Sequence, residues 1–383
     1  MLRTYGSLRH RVNFALVSLF LTAVALATIA PSATDLPPCY RIELKQPIFS
    51  VLSGAWTHDG QALLLADTEQ NRLFLLSRAG RLESTPAALG RVADFKPSFL
   101  SAIYPLQRGS SGILAKAAYL LQMSDERFVA FDESFSPTFI LPLREQAVDG
   151  NLAVDWVWNW VLLGGELVAF VDMKEDKPTD SEDHWTCGLV RIPLGSPGDF
   201  HVLRQLDIKN PSRAFYRLGS PYVASIGQMV YFLNMQSPPQ IEALRQGGEQ
   251  LEPLPGLPEY LRSLPNVPPG RAPMDFLKVG DIPGIAVSMF GWEGKLYVVS
   301  RPDSREADLW RFAVVDPTIG KHVATLYYRS SASNLTMVPG PSGWAIVERG
   351  PRPEHLFKQE VRSITIVPDS RIRNAASERG ICD

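Results

Sequence analysis

The chain of 383 residues is 45% hydrophobic and 20% charged, which is the composition of a folded globular protein. Its 38 Lys and Arg residues nearly balance its 40 Asp and Glu residues, so the net charge of -2 argues against a nucleic acid partner. The 31 prolines are spread between apolar runs, and this pattern favours many short elements joined by turns.

The N-terminal segment, residues 1–33, has the layout of an export signal. Arg3, Arg9 and Arg11 precede an uncharged apolar run at 12–29, and small residues follow it. The run also approaches the length of a membrane-spanning helix, so an uncleaved N-terminal anchor is the alternative. Under either interpretation the folded part is expected to lie outside the cytoplasm. It is secreted or periplasmic if the segment is cleaved, and membrane-anchored with an extracytoplasmic domain if it is not.

Three cysteines occur, and two of them, Cys39 and Cys382, lie near the two ends of the mature chain. An oxidising compartment allows such a pair to form a disulfide, which requires the chain ends to meet. Three unpaired thiols are the alternative. Cys187 has no suitably spaced cysteine or histidine, so it is a poor candidate for a zinc ligand or a nucleophile.

Residues 40–370 carry almost only strand patterns. Runs of four to eight residues rich in Val, Ile, Leu, Phe and Tyr alternate with polar turns, and sustained helical spacing is nearly absent. Six packets share the order strand, polar turn, strand, turn. Their equivalent points are Leu64, Leu120, Val168, Val230, Val298 and Ile346.

The spacing of these packets predicts an all-β fold. The gaps between equivalent points are 56, 48, 62, 68 and 48 residues, somewhat longer than a common propeller blade of roughly 40 to 50 residues. We therefore expect a six-bladed β-propeller with four-stranded antiparallel blades, in which the N- and C-terminal strands close the ring. Residues 371–383 are expected to form a C-terminal tail.

The polar turn of the first packet, ADTEQNRL, contains Asp67, Asn71 and Arg72. It resembles the NHL repeat, whose blades carry an aspartate, polar residues, an asparagine and an arginine between the second and third strands. The resemblance implies a place among the six-bladed propellers that include the NHL and TolB-like folds. Asp and Asn bond readily to turn backbone and arginine pairs with aspartate, so the three residues are assigned a structural role.

Two segments break the period and are interpreted as long loops, the parts of a rigid fold that commonly carry recognition. The first, 172–184, is acidic. It lacks the spacing of a calcium-binding loop and interleaves Lys174 and Lys177, so a solvated loop is favoured. The second, 252–271, is proline-rich, with one short helix predicted at 259–264.

Ligands of propellers commonly bind at the mouth of the ring, where the innermost strands begin. The candidate ligand-binding residues there are Asn151, Asp155, Tyr222, Asp281 and Asn334. Some similar propellers, those of the gluconolactonase group, are calcium-dependent lactonases with a glutamate at the first inner strand. Ser53 occupies that place here. No metal ligand is therefore assigned, and calcium belongs only to a lactonase alternative.

Three tryptophans form the most unusual local cluster. Trp156, Trp158 and Trp160 alternate with smaller residues, and on a regular strand this alternation places all three on one face. Such a face could stack on a sugar. Packing between two blades is favoured, because large aromatic side chains suit interfaces between sheets.

The chain shows no H-E-x-x-H, G-x-S-x-G, glycine-rich phosphate loop or C-x-x-C motif, so no catalytic residue is assigned. The leading hypothesis is a secreted or periplasmic binding or scaffold propeller that recognises a protein, peptide or carbohydrate at one rim. A metal-dependent lactonase or esterase of the gluconolactonase-like type is the alternative. A membrane-anchored sensor or assembly subunit is the third hypothesis.

Overall fold

The computed structural model describes a set of ranges within one compact unit that begins at Cys39. The described residues are 38–44, 48–49, 51, 53–67, 70, 72–84, 103–106, 114–123, 127–143, 148–149, 152–175, 184–196, 198–209, 222–235, 238–263, 284–302, 306–352, 355–375 and 380–382. The predictions for 1–33, Asn71, Asn151 and Asp281 lie outside these ranges.

The described fold consists of six antiparallel sheets, here called blades 1 to 6 in chain order, and one short helix. Blade 1 contains β2 (Gly54–Trp56), β3 (Ala62–Asp67), β4 (Arg72–Ser77) and β5 (Leu82–Ser84). Blade 2 contains β6 (Ile103–Pro105), β7 (Tyr119–Gln122), β8 (Arg127–Phe131) and β9 (Pro137–Pro142). Blade 3 contains β10 (Val148–Asp149), β11 (Leu152–Leu163), β12 (Glu166–Glu175), β13 (His184–Pro193) and β14 (His201–Lys209).

Blade 4 contains β15 (Tyr222–Ile226), β16 (Met229–Asn234), β17 (Gln240–Arg245) and β18 (Glu252–Leu254). Blade 5 contains β19 (Ala286–Trp292), β20 (Lys295–Ser300), β21 (Leu309–Asp316) and β22 (Lys321–Arg329). Blade 6 contains β23 (Asn334–Gly340), β24 (Gly343–Arg352), β25 (His355–Pro368) and β1 (Tyr40–Glu43), followed by helix α1 (Asp369–Asn374).

The ring closes between the two ends of the chain, as predicted. β1 pairs antiparallel with β25, so that Tyr40 lies opposite Ile366 and Glu43 lies opposite Ser363. The inner strands contact one another around the ring, and β2 of blade 1 contacts β23 of blade 6. All six equivalent points of the sequence period lie on the strand that follows the inner strand of their blade, which is β12 after β11 in blade 3. The six-bladed propeller is therefore confirmed.

The continuous apolar runs follow from burial on both faces of a blade. Leu63 and Leu65 pack into the core shared with blade 6, whereas Leu64 packs into the core shared with blade 2. A strand with a neighbouring sheet on each side needs apolar residues at every position, as in sheets covered on both faces. The short run LLL is thus a two-sided core strand.

Blade 3 departs from the predicted four strands. A fifth strand, β10, pairs with the start of β11, where Val148 lies opposite Ala153. The acidic segment predicted as a loop is also shorter than expected. β12 continues through Asp172 to Glu175, and β13 begins at His184. Asp172 is buried and accepts a hydrogen bond from the indole of Trp158.

The prediction that the three tryptophans share one face is wrong. Two register shifts interrupt the pairing of β11 with β12, one between Val154 and Trp156 and one between Val157 and Asn159. Each bulge adds one residue to the strand and reverses the alternation beyond it. Trp158 consequently packs toward blade 4 and Trp160 toward blade 2. The preference for packing between blades is confirmed for both residues.

The helix predicted at 259–264 does not form in its described part, 259–263, where the chain makes a turn after β18. Leu261 is buried in the core between blades 4 and 5, and the Tyr260 hydroxyl hydrogen-bonds Thr325 Oγ1 at 3.2 Å. The guanidinium of Arg311 stacks over the Tyr260 ring. Packing of the adjacent residues Tyr260 and Leu261 competes with the single helical turn that local spacing favours, since one isolated turn is unstable.

The C-terminal segment packs against blade 5. Ile381 is buried, and its backbone N–H donates to the carbonyl of Tyr327 on β22 at 2.7 Å. A disulfide joins Cys382 to Cys39, with 5.5 Å between their Cα atoms. Cys187 is buried in blade 3 outside the disulfide, and its Sγ donates to the carbonyl of Leu206 at 3.5 Å. The disulfide therefore links the first described residues of blade 6 to the outer strand of blade 5.

Candidate functional site

The mouth of the ring is the end at which the innermost strands begin. Tyr222 is the first residue of β15 in blade 4, and Asn334 is the first residue of β23 in blade 6. Asp155 lies at the first bulge of β11 in blade 3 and is partly buried. The structure brings Tyr222 and Asn334 into one sector on either side of blade 5. Asp155 lies on β11, which contacts β15, the strand that begins with Tyr222.

Ser53, the residue in the place of the gluconolactonase-type glutamate, connects two blades. Its Oγ accepts a hydrogen bond from the backbone N–H of Ile103 at 2.9 Å, which ties the start of β2 to the start of β6. The described residues contain no group of three or more His, Cys, Asp or Glu side chains that could hold a metal ion.

Asp67 of the NHL-like turn is fully buried and anchors backbone. Its carboxylate accepts hydrogen bonds from the N–H groups of Phe49, at 2.9 Å, and Gln70, at 2.8 Å. Arg72 lies opposite Asp67 in the β3–β4 register, but its side chain is exposed. Among the described residues Arg72 forms no ion pair, so the predicted pairing across this turn is wrong. The turn needs the aspartate as a backbone acceptor rather than as a partner for arginine.

Two arginines at the mouth were missed by sequence reasoning. Arg301 directly follows β20 in blade 5, where its N–H donates to the carbonyl of Ile285 at 3.0 Å, just before β19. Arg349 lies on β24 in blade 6, directly opposite Asn334. Both stand three residues after the equivalent points of their blades, Val298 and Ile346. This shared position in consecutive packets is the pattern that could have revealed them.

Arg349 is buried, with 5% of its surface exposed. Its Nη1 donates to Oε1 of Gln359 at 2.8 Å, whereas its Nε has no hydrogen-bond partner among the described residues. Burial and the nearby positive charge of Arg301 lower the pKa of Arg349 to about 10. The Tyr222 phenol is the third member of the group. Burial raises the pKa of Tyr222, and the positive charges of Arg301 and Arg349 oppose that rise.

Tyr222, Arg301 and Arg349 are here called the mouth triad. They come from blades 4, 5 and 6, so the triad exists only because three consecutive blades meet at the mouth. The triad offers hydrogen-bond donors and positive charge to a bound group. It offers no carboxylate.

Blades 3 and 6 extend past the mouth. β12 and β24 have ten residues each, whereas β3, β16 and β20 have six each. These second strands all begin at a short turn on the opposite end of the ring, such as Gly164–Gly165, where both residues have positive φ. The four extra residues therefore lengthen the mouth ends of these two strands by about 13 Å relative to the six-residue strands, at roughly 3.3 Å per residue. In a ring of six, blades 3 and 6 face each other across the mouth.

Hydrogen bonds join the inner strands of blades 2, 3 and 4. The Tyr104 hydroxyl on β6 donates to the carbonyl of Leu162 at 3.3 Å and lies 3.1 Å from Oγ of Ser225. These contacts join blades 2, 3 and 4 close to the turns that follow their inner strands.

No family model matches the chain, and no curated protein matches it. Solved structures with a similar fold exist at low sequence identity. A putative gluconolactonase is 12% identical, with a TM-score of 0.49 over 88% of this chain and 96% of that one. A calcium-binding protein, regucalcin, from Agrobacterium tumefaciens is 12% identical, with a TM-score of 0.44 over 86% and 96%.

A putative exported protein from Bacteroides fragilis is 11% identical, with a TM-score of 0.46 over 81% of this chain and 83% of that one. At this level of similarity the likenesses do not bear on ligand or activity. Within the described residues, no helix has the length and apolar character needed to cross a membrane. The strand order within its six sheets shows that the chain is a six-bladed β-propeller.

Proposed function

We propose that this chain is a secreted or periplasmic binding propeller that takes a protein, peptide or carbohydrate ligand at the mouth of the ring. The observation that carries the proposal is the mouth triad, in which polar residues of three consecutive blades stand at the mouth ends of their strands and influence one another electrostatically. The ligand contacts the sector of blades 4, 5 and 6. The projecting strands of blades 3 and 6 border the approach.

Two further features support this function. The disulfide between Cys39 and Cys382 suits an oxidising compartment outside the cytoplasm. The ring is also rigid, because each blade shares a buried core with its neighbours. A rigid frame that holds polar side chains at one opening loses little entropy on binding.

The test is a binding screen of the purified chain on glycan and peptide arrays. Ligands of the wild-type chain are then measured by calorimetry against Tyr222→Ala, Asp155→Ala and Asp281→Ala, which replace three of the residues predicted to lie at the mouth. We expect Tyr222→Ala to weaken binding by at least about tenfold, roughly 1.4 kcal/mol. Tyr260→Phe, on the outer side of blades 4 and 5, is the control. Ligands that bind all of these variants equally would place the site away from the mouth.

The second candidate is a metal-dependent lactonase or esterase. Lactone hydrolysis with calcium and a calcium titration of thermal stability test it directly, since a ligand of the native state raises the unfolding midpoint. Ser53, which takes the place of the glutamate, ties the start of β6, so this activity would rely on oxygen ligands such as Asn151, Asp155 and Asn334. A midpoint that stays constant across the titration would remove this candidate.

The finer assignments are also proposals. We place the chain in the NHL and TolB-like group because the buried Asp67 organises the first blade's turn as that resemblance implies. Mass spectrometry of the N-terminus distinguishes a cleaved export signal from an anchor. An intact N-terminus would favour the membrane-anchored sensor or assembly subunit.

A further inference from the structure

We propose that the ligand bound at the mouth carries an oxyanion, a carboxylate or a phosphate, and that Arg349 binds it with Arg301 alongside. The inference rests on the proposed function and deepens it by naming the chemical class that the mouth recognises. It concerns the sector of the mouth where Asn334 faces Arg349 across β23 and β24.

The first step is that Arg349 has no acidic partner within the part of the chain that the structure describes. A buried guanidinium is expensive to desolvate and is normally paired with a carboxylate. The mostly buried Arg191 follows this rule, since its Nε lies 3.8 Å from Oε2 of Glu166, and even more exposed arginines pair with buried carboxylates. Arg204 lies 2.9 Å from the buried Glu242, and Arg41 lies 2.9 Å from the buried Glu348. Arg349 is more buried than either arginine, yet among the described residues its only side-chain partner is the neutral Gln359.

The second step concerns the donors that remain on Arg349. Gln359 occupies Nη1, whereas the buried Nε has no hydrogen-bond partner among the described residues. An unsatisfied buried donor destabilises a fold by about 1–3 kcal/mol, and more when the group is charged. Carboxylate and phosphate oxygens match the planar fork of a guanidinium, so an arriving oxyanion would satisfy this donor.

The third step is the placement of a like charge beside it. The positive charge of Arg301 lies close enough to Arg349 to lower its pKa, so the two guanidinium groups repel each other. An anion between or beside them removes this repulsion, whereas a calcium ion would add to it. The sector is therefore built for negative charge.

Tyr222 completes the recognition. Burial keeps its phenol protonated far above neutral pH, so the hydroxyl can donate to an oxygen of the same ligand. Its aromatic ring offers an apolar surface next to the charged group. A ligand with an oxyanion on a compact ring or a short peptide end would use all three side chains.

The experiment titrates the full chain with inorganic phosphate and with D-glucuronate, and it uses methyl glucoside as the neutral counterpart. Sodium chloride holds the ionic strength constant, so that only specific binding raises the unfolding midpoint. We expect a saturable rise with phosphate or glucuronate and none with methyl glucoside. Whichever of the two titrations raises the midpoint shows whether the site binds a phosphate or a carboxylate. No response to either anion overturns the inference.

The matched variants are Arg349→Met and Arg373→Gln. Arg373 is an exposed arginine of α1 that pairs with Glu293 and Asp369, so its loss should leave the anion response unchanged. Arg349→Met should abolish the response and raise the unfolding midpoint without ligand, because it removes an unpaired buried charge. A lower midpoint together with an unchanged anion response would refute the assignment. If this variant fails to fold, Arg301→Gln must weaken the anion response by about tenfold for the inference to stand.

The same measurements separate the inference from the proposed function. An array ligand that is neutral, that binds the wild type and that loses affinity in Tyr222→Ala would uphold binding at the mouth and refute the oxyanion. Array ligands that bind every mouth variant equally would refute the mouth as the site, whatever the anions do.

Discussion

Arg41 and Glu348 connect the first strand of the ring to its last blade. Nη2 of Arg41 lies 2.9 Å from Oε2 of Glu348, across the intervening strand β25. Glu348 is buried, and it also accepts hydrogen bonds from Oγ of Ser363, at 2.6 Å, and from the Tyr328 hydroxyl. The carboxylate thus joins β1, β25 and the outer strand of blade 5.

Replacing Glu348 should open this closure. Glu348→Ala leaves the Ser363 and Tyr328 hydroxyls without their acceptor and is expected to reduce the free energy of unfolding by about 3–5 kcal/mol. Arg41→Ala should cost about 1–2 kcal/mol, because the Arg41 side chain is 55% exposed and the two hydroxyls still satisfy Glu348. Urea denaturation of both variants checks the order. Equal losses would show that the ion pair, rather than the hydroxyl network, dominates.

Breaking the disulfide should release the C-terminal segment. Cys382→Ser is expected to reduce the free energy of unfolding by about 4 kcal/mol, because the bond closes a loop of more than three hundred residues. The wild type should lose the same amount under reducing conditions. Cys187→Ala is the control, since that thiol is not part of the disulfide and its replacement should leave the effect of reduction unchanged. A wild-type midpoint that reduction leaves unchanged would contradict the prediction.

Alkaline pH should destabilise the interface between blades 5 and 6 through Tyr297. Burial, together with the negative charge of Glu293, raises the pKa of Tyr297 to about 12 from the usual value of 10.0. A phenol whose pKa is higher in the folded state contributes stability below pH 10 that is lost as pH rises toward 12. Urea denaturation at several pH values should therefore show a shallower alkaline decline for Tyr297→Phe than for the wild type. Parallel declines would argue against this residue.

Gln122 should matter more than its short strand suggests. Its amide is fully buried, donates to the carbonyl of Val157 at 2.8 Å and accepts from the indole of Trp160 at 3.0 Å. Gln122→Leu leaves both partners on blade 3 without their hydrogen bonds and should reduce the free energy of unfolding by about 2–4 kcal/mol. Gln61→Leu, in the exposed turn before β3, is the control and should change stability by less than about 0.5 kcal/mol. Similar losses in the two variants would contradict the bridging role.

Several features of the fold could be predicted because they are properties of neighbouring residues. A strand covered on both faces must be apolar at every position, and Leu63, Leu64 and Leu65 display this in the sequence alone. Repetition of that strand with polar turns between copies then predicts six blades. Ring closure followed from the same reasoning.

Other features required the assembled ring. The bulges at Asp155 and Trp158 reverse the tryptophan alternation because β11 must match its neighbours on both sides, and no local pattern reports that constraint. The turn at 259–263 forms because Tyr260 and Leu261 find partners on blades 4 and 5. Asp67 is occupied by backbone N–H groups, one of them from Phe49 on a preceding segment, rather than by Arg72.

The sequence by itself determined that this protein is a ring of sheets buried on both faces. The repeat of the strand packets and their apolar residues can both be read along the chain. Only the tertiary structure decided what stands at its mouth. Tyr222, Arg301 and Arg349 are separated by dozens of residues and meet because ring closure brings three blades together. The burial of Arg349 beside the neutral Gln359 depends on distances through space, which no spacing along the chain encodes.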